Sequence, residues 1–188
     1  MGKIYTALGL MSGTSGDGVD ASIISSDGID KYSEILNKYF EYDPNIHENL
    51  HNLRGKISNI DDIKKNENEI NRLEKEITLF HAKIVNEILK TTNKEVDLIG
   101  FHGQTIYHNP LDKISKQIGD GNLLSQLTKK NVVYNFRQND IENGGEGAPL
   151  VPIFHKLIVS QKKIELPVCI LNLGGIANIT AINEYEND

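Results

Sequence analysis

The densest chemistry in the sequence lies in Gly9-Leu10-Met11-Ser12-Gly13-Thr14-Ser15-Gly16-Asp17-Gly18-Val19-Asp20. Gly13, Gly16 and Gly18 allow consecutive backbone N–H groups to turn toward one point, the kind of concavity that holds phosphate oxygens. Ser12, Thr14 and Ser15 add hydroxyl donors, and Asp17 and Asp20 have the chemistry to hold Mg²⁺ directly or through water. The spacing Gly13-x₄-Gly18 matches part of a Walker A loop, but Val19-Asp20 stands where Lys-Ser/Thr is required, so this is not a P-loop. A polar hairpin turn without a ligand is the plain alternative. Ser15 with His102 or His155 as base would suggest a serine nucleophile. Gly-x-Ser-x-Gly is absent, however, and nothing ties either histidine to Ser15.

Three further clusters follow. Phe101-His102-Gly103-Gln104-Thr105 comes at the end of an apolar run, the edge at which open α/β sheets collect ligands. His102 and Gln104 offer neutral donors and acceptors suited to a sugar or an acetamido group, or else His102 is a core histidine. Asn135-Phe136-Arg137-Gln138-Asn139-Asp140 contains one of only three arginines (Arg54, Arg72, Arg137). The Arg137 fork suits a carboxylate or phosphate, or a structural ion pair with Asp140. Gly144-Gly145-Glu146-Gly147 lacks the last glycine of a dinucleotide fingerprint. In Leu171–Thr180, Gly174-Gly175 sits between two strands and echoes the first hairpin, so that two such hairpins would grip phosphates across a cleft. His47 and His51 lie one helical turn apart without a third metal ligand and read as a surface pair. Cys169 reads as a small buried hydrophobe within a strand.

The elements that must position these groups follow from periodicity. Residues 4–11 and 96–101 have the profile of strands buried on both faces. Val19, Ala21 and Ile23 alternate with polar residues in a strand that pairs back on the first, and a third strand covers 34–42. Pro44 opens a short helix with Ile46, Leu50 and Leu53 on one side. Ile63, Ile70, Leu73, Ile77, Phe80, Ile84 and Ile88 mark a helix of about 25–30 residues ending near Lys90, packed on a sheet in preference to a coiled-coil seam. Asp120 caps a helix through Leu123, Leu124 and Leu127, and Val132–Tyr134 returns to strand. An apolar helix spans 150–159, and 168–173 with 176–182 forms a hairpin. This order predicts an α/β fold with a mixed sheet flanked by helices.

Composition narrows the class. The chain has 188 residues, a formal net charge of −6 and one cysteine. With no basic block, nucleic acid and anionic membrane are poor partners, and the lone cysteine fits a reducing cytoplasm. No apolar run reaches the roughly 18–20 residues that span a bilayer, and no signal-peptide core is present. Gly2 matches a loose myristoylation pattern but lacks a second anchor, and reads as the residue before the first strand.

Taken in order, residues 9–15, 101–105, 135–137 (Asn-Phe-Arg), 144–152 (Gly-Gly-Glu-Gly-Ala-Pro-Leu-Val-Pro) and 171–180 (Leu-Asn-Leu-Gly-Gly-Ile-Ala-Asn-Ile-Thr) resemble the anhydro-N-acetylmuramic acid kinases. The resemblance implies a ribonuclease-H-like, actin/hexokinase-like ATPase superfold with two such domains around an ATP cleft. It also implies a cytoplasmic role in cell-wall recycling. Such enzymes use ATP·Mg²⁺ and water to open the 1,6-anhydro ring of anhydro-N-acetylmuramic acid and phosphorylate O6, giving N-acetylmuramic acid 6-phosphate. Carried over, Ser12, Gly13, Thr14, Ser15, Gly16, Asp17, Gly18, Asp20, Gly174 and Gly175 hold ATP, with Asp17 and Asp20 on Mg²⁺. His102, Gln104, Thr105, Arg137 and Asp140 face the sugar. The family carries Leu where Gly16 stands, which implies a less rigid loop here, and Asp where Asn135 stands. It is about twice as long, and the resemblance places its water-activating aspartate beyond Asp188, which leaves the catalytic residues of this chain unassigned. The expected division is therefore residues 1–148 as a first domain and 149–188 as a connecting helix and the first hairpin of an incomplete second. Completion would come from a C-terminal half or another copy of the chain. The alternative is a phosphate- or partner-binding half-domain without catalysis.

Overall fold

The computed structural model describes residues 3–174 and 176–184. Three positions named above lie outside them: Gly2, Gly175, which is expected on the phosphates, and Asp188, beyond which the water-activating aspartate is expected. The central sheet has the order β3-β2-β1-β4-β7. Strands β1 (Tyr5–Met11), β2 (Gly18–Ser26) and β3 (Tyr32–Glu41) form an antiparallel meander. Strand β4 (Leu98–Phe101) runs parallel to β1, and β7 (Asn131–Tyr134) parallel to β4. In this register Leu10, Phe101 and Tyr134 lie side by side, so the chain leaves β1, β4 and β7 at one shared edge.

Alternation decides which face is covered. Leu8, Leu10, Val19, Ala21, Ile23, Ile99 and Phe101 point into one core with residues of α1 (Pro44–Gly55), α3 (Glu67–Thr91) and α4 (Gly121–Thr128). The expectation that β1 is buried on both faces is corrected: Tyr5 and Met11 are exposed, because these three helices pack on the side of Leu8 and Leu10. The apolar stripe of α3 (Ile70, Leu73, Ile77, Ile84, Ile88) is buried in that core, where a fully buried aliphatic side chain contributes about 1.5–3 kcal/mol.

The long helix is interrupted. Helix α2 (Ile60–Lys65) stops at Asn66, whose side-chain N–H₂ donates to Asp62 O at 2.8 Å, and α3 starts afresh at Glu67. Ile63 still packs against the core across this break. Two elements have no forerunner in the sequence reading: the hairpin β5 (Gln104–Asn109) and β6 (Ile114–Ile118), and α5 (Phe136–Glu142). Helix α6 (Pro152–Lys162) then leads to the separate hairpin of β8 (Val168–Asn172) and β9 (Asn178–Ile182). Cys169 is exposed there. It alternates outward on a strand with a single neighbour, which corrects the expectation of a buried thiol. No helix among the described residues is long and apolar enough to cross a membrane.

Candidate functional site

The shared strand edge collects the loop 12–17 after β1, His102–Gly103 after β4, and Asn135 with α5 after β7. The amide of His102 donates to Leu10 O at 3.2 Å, tying the first two together.

The loop is built by its carbonyls. Gln104 Nε2 donates to Gly13 O at 2.8 Å, Arg54 Nη1 donates to Thr14 O, His51 Nε2 meets Ser15 O at 3.0 Å, and His47 Nδ1 meets Gly16 O at 2.8 Å. Four consecutive carbonyls are thus held by side chains, three of them from α1. The Gly16 N–H closes a turn onto Gly13 O at 3.1 Å. Because C=O of one residue and N–H of the next point oppositely across a trans peptide, the amides of Thr14, Ser15 and Asp17 are turned away from these clamps. None of them has a hydrogen-bond partner among the described residues. Gly16 adopts φ +69°, and a Cβ there would stand 2.7 Å from Leu50 Cδ2, so only glycine lets α1 approach this closely.

Ser12 also differs. It is 1 % exposed and its hydroxyl lies 2.9 Å from Tyr42 OH and 3.3 Å from His81 Nε2. That hydroxyl is engaged with the interior, beneath the loop and not on it. Ser15 Oγ donates to Asp17 Oδ1 at 2.7 Å. Desolvation, then the charges of Asp17, Glu41 and Asp20, raise the Tyr39 phenol above its ordinary value. No group of three or more His, Cys, Asp or Glu able to hold a metal is found among the described residues. Two exposed carboxylates beside free amides nevertheless suit Mg²⁺, which usually takes one or two carboxylates and completes its shell with phosphate and water.

Beyond the loop, His102 is largely buried. Its Nδ1 lies 2.7 Å from Gly103 O, and its Nε2 accepts from Arg137 Nε at 2.8 Å. Desolvation, then the Arg137 charge, push its pKa down to about 4, so the ring is neutral and donates through Nδ1. Arg137 Nη1 also donates to Gly147 O at 2.9 Å, and Asp140 Oδ2 accepts from Gly147 N at 2.8 Å. One turn apart on α5, the two side chains grip both polar groups of one glycine. An ion pair between them is not found among the described residues.

Gln104, expected to face the sugar, is fully buried. It gives its amide to Gly13 O, while its Oε1 has no partner among the described residues. Thr105 Oγ1 accepts from Gln117 Nε2 at 3.1 Å. A cavity of about 250 Å³ opens beside His102, lined also by Glu74, Lys116, Gln117, Asp120 and Asn135. Of the residues expected at the sugar, only His102 lines it. Gly174 lies on the separate hairpin, and no contact with the loop is found among the described residues.

Strand order and shared edge define the class: a mixed five-stranded sheet flanked by helices, the ribonuclease-H-like fold of actin/hexokinase-like ATPases. A family model describing anhydro-N-acetylmuramic acid kinase matches residues 5–187. Curated relatives bear that same name, three of them as follows. That of Pelagibacter ubique (strain HTCC1062) is 65% identical over 100% of this chain and 50% of its own length. That of Gluconobacter oxydans (strain 621H) is 41% identical over 96% and 49%, and that of Agrobacterium fabrum (strain C58 / ATCC 33970) 38% over 98% and 51%. The chain belongs to the anhydro-N-acetylmuramic acid kinase family, and it spans about half the length of these relatives.

Proposed function

We propose that this chain is the N-terminal half of an ATP-dependent sugar kinase that opens the anhydro ring of anhydro-N-acetylmuramic acid with water and phosphorylates O6, in the cytoplasm. The observation that carries this reading is the loop after β1. The carbonyls of Gly13 to Gly16 are all occupied, and the amides of Thr14, Ser15 and Asp17 have no partner among the described residues. Such a surface complements phosphate oxygens, and Asp17 and Asp20 beside it suit the metal that accompanies ATP.

ATP·Mg²⁺ supplies the transferable phosphoryl group, and phosphoryl transfer requires chiefly positioning and neutralisation of charge. In this reading Thr14, Ser15 and Asp17 donate backbone N–H groups to phosphate oxygens, and Ser12 supports the loop from below. His102, neutral and steadied by Arg137, presents its edge to the cavity where the sugar is held. Asp140 and Arg137 fix Gly147 of the glycine loop 144–147. Residues 1–148 form the first domain and 149–188 begin a second, whose Gly174-Gly175 turn closes on the phosphates from the other side. The water-activating aspartate belongs to the other half, beyond Asp188.

The test is ADP release dependent on anhydro-N-acetylmuramic acid. It is measured on this chain alone and on the chain joined to the second half of the Pelagibacter relative. Turnover is expected only in the joined protein. Turnover by the 188-residue chain alone would refute the division of labour, and a joined, folded protein that ignores the sugar would refute the substrate.

A further inference from the structure

The amphipathic helix α1 has a second role besides filling the core. Leu50 and Leu53 are fully buried. His47, His51 and Arg54 follow at i, i+4 and i+7 and therefore share one face, and that face meets the carbonyls of Gly16, Ser15 and Thr14 in reverse chain order. Gln104, from the start of β5, takes the fourth carbonyl, that of Gly13. The imidazole rings of His47 and His51 are 4.4 Å apart and pack as a pair. Each offers one ring N–H to the loop, a bond that neutral and protonated imidazole make alike. No metal is needed to account for the pair.

We propose that His47, Arg54 and Gln104 are positioning residues that lock the carbonyls of Gly16, Thr14 and Gly13 inward and so keep the amides of Asp17, Ser15 and Thr14 aimed at a polyphosphate. The inference rests on the phosphate-binding reading of the loop. Each clamp acts through a peptide plane: holding O of residue 13, 14 or 16 sets the N–H of residue 14, 15 or 17. A carbonyl that swung outward would place a partial negative charge where phosphate oxygens must sit. Without the clamps the loop would have to be ordered by the ligand, and that ordering cost would be subtracted from affinity.

The experiment uses the isotope-labelled 188-residue chain titrated with Mg·ATP, followed through the backbone amide resonances of residues 13–17. In the unsubstituted chain the amides of Thr14, Ser15 and Asp17 are expected to move together and saturate. His47 is exposed, so His47→Ala leaves the core untouched. It is expected to weaken Mg·ATP binding roughly fivefold, the worth of one ordinary hydrogen bond. His47→Asn places an amide N–H where Nδ1–H was. That variant is expected to bind within about twofold of the unsubstituted chain. A uniform packing role would not distinguish alanine from this donor-matched variant. If His47→Ala binds as well as the unsubstituted chain, or His47→Asn binds as poorly as His47→Ala, the lock is overturned while the phosphate loop stands. If the unsubstituted chain shows no response at residues 14, 15 and 17 up to millimolar Mg·ATP, the phosphate reading fails and the lock with it.

Discussion

His81 lies under the loop with no exposed surface, its Nδ1 2.8 Å from Ile77 O and its Nε2 3.3 Å from Ser12 Oγ. Desolvation lowers its pKa to about 4, and His102 is lowered likewise to about 4. Both are neutral when folded and take up protons near pH 6.5 when unfolded. Stability is therefore full above about pH 6.5 and falls as pH drops toward 4, by about 1.4 kcal/mol per pH unit for each imidazole. Urea midpoints measured between pH 7 and pH 4.5 are expected to fall, and His81→Gln is expected to flatten the slope by about half. Gly16→Ala must hold a side chain at φ +69° against Leu50. It is expected to cost roughly 1–3 kcal/mol by the same measurement, so the family's leucine cannot be grafted onto this backbone unchanged. The loop itself was legible because glycines, hydroxyls and carboxylates crowd into one turn. Its clamps were not, since His47, His51 and Arg54 act on main-chain oxygens 31, 36 and 40 residues away. A bond to a carbonyl leaves no complementary side chain to read. The one available signal was their own spacing at i, i+4 and i+7 along α1.

At the scale of elements, long periodic segments were readable and short ones were not. Strands β1 to β4 and β7 and helices α1, α3 and α4 were expected within a few residues of where they lie, because each offers a run of apolar positions with its own period. The α2–α3 break was invisible, since Ile63 and Ile70, one on either side of it, keep the helical spacing of seven. The β5–β6 hairpin was missed because its strands bury only Gln104, Ile106, Ser115 and Ile118, too few apolar positions to show alternation. Yet that hairpin delivers Gln104 to the loop and Lys116 and Gln117 to the cavity. The cap of α4 was expected and is present: Asp120 Oδ1 accepts from Leu123 N at 2.9 Å, while Asp120 N donates to Thr78 Oγ1 on α3, also at 2.9 Å. Asp120→Ala is expected to lower stability by about 1 kcal/mol, seen as a drop in melting temperature at neutral pH. Asp120→Asn, which keeps an acceptor, is expected to recover most of it.

At the scale of the whole molecule, the β8–β9 hairpin stands apart from the main sheet and leaves Leu171, Leu173, Ile176 and Ile179 exposed. Two strands alone are marginally stable in water, and an apolar face of this kind favours association. Sedimentation velocity on the 188-residue chain is expected to show concentration-dependent association, which the pair Leu171→Lys and Ile179→Lys should abolish. An unchanged monomer at all concentrations would show that the face needs no cover. The hairpin is joined to the rest through α6, where His155 Nδ1 lies 2.8 Å from Thr180 Oγ1 on β9. The same helix reaches back to β3, the outermost strand of the main sheet: Gln161 Oε1 accepts from Tyr32 N at 2.9 Å, and Gln161 Nε2 donates to Tyr32 O at 2.8 Å. One side-chain amide thus reproduces both bonds of a ladder rung. The strand is shut at that point against a stranger's backbone, and the helix that carries the chain onward is moored by the rung that shuts it.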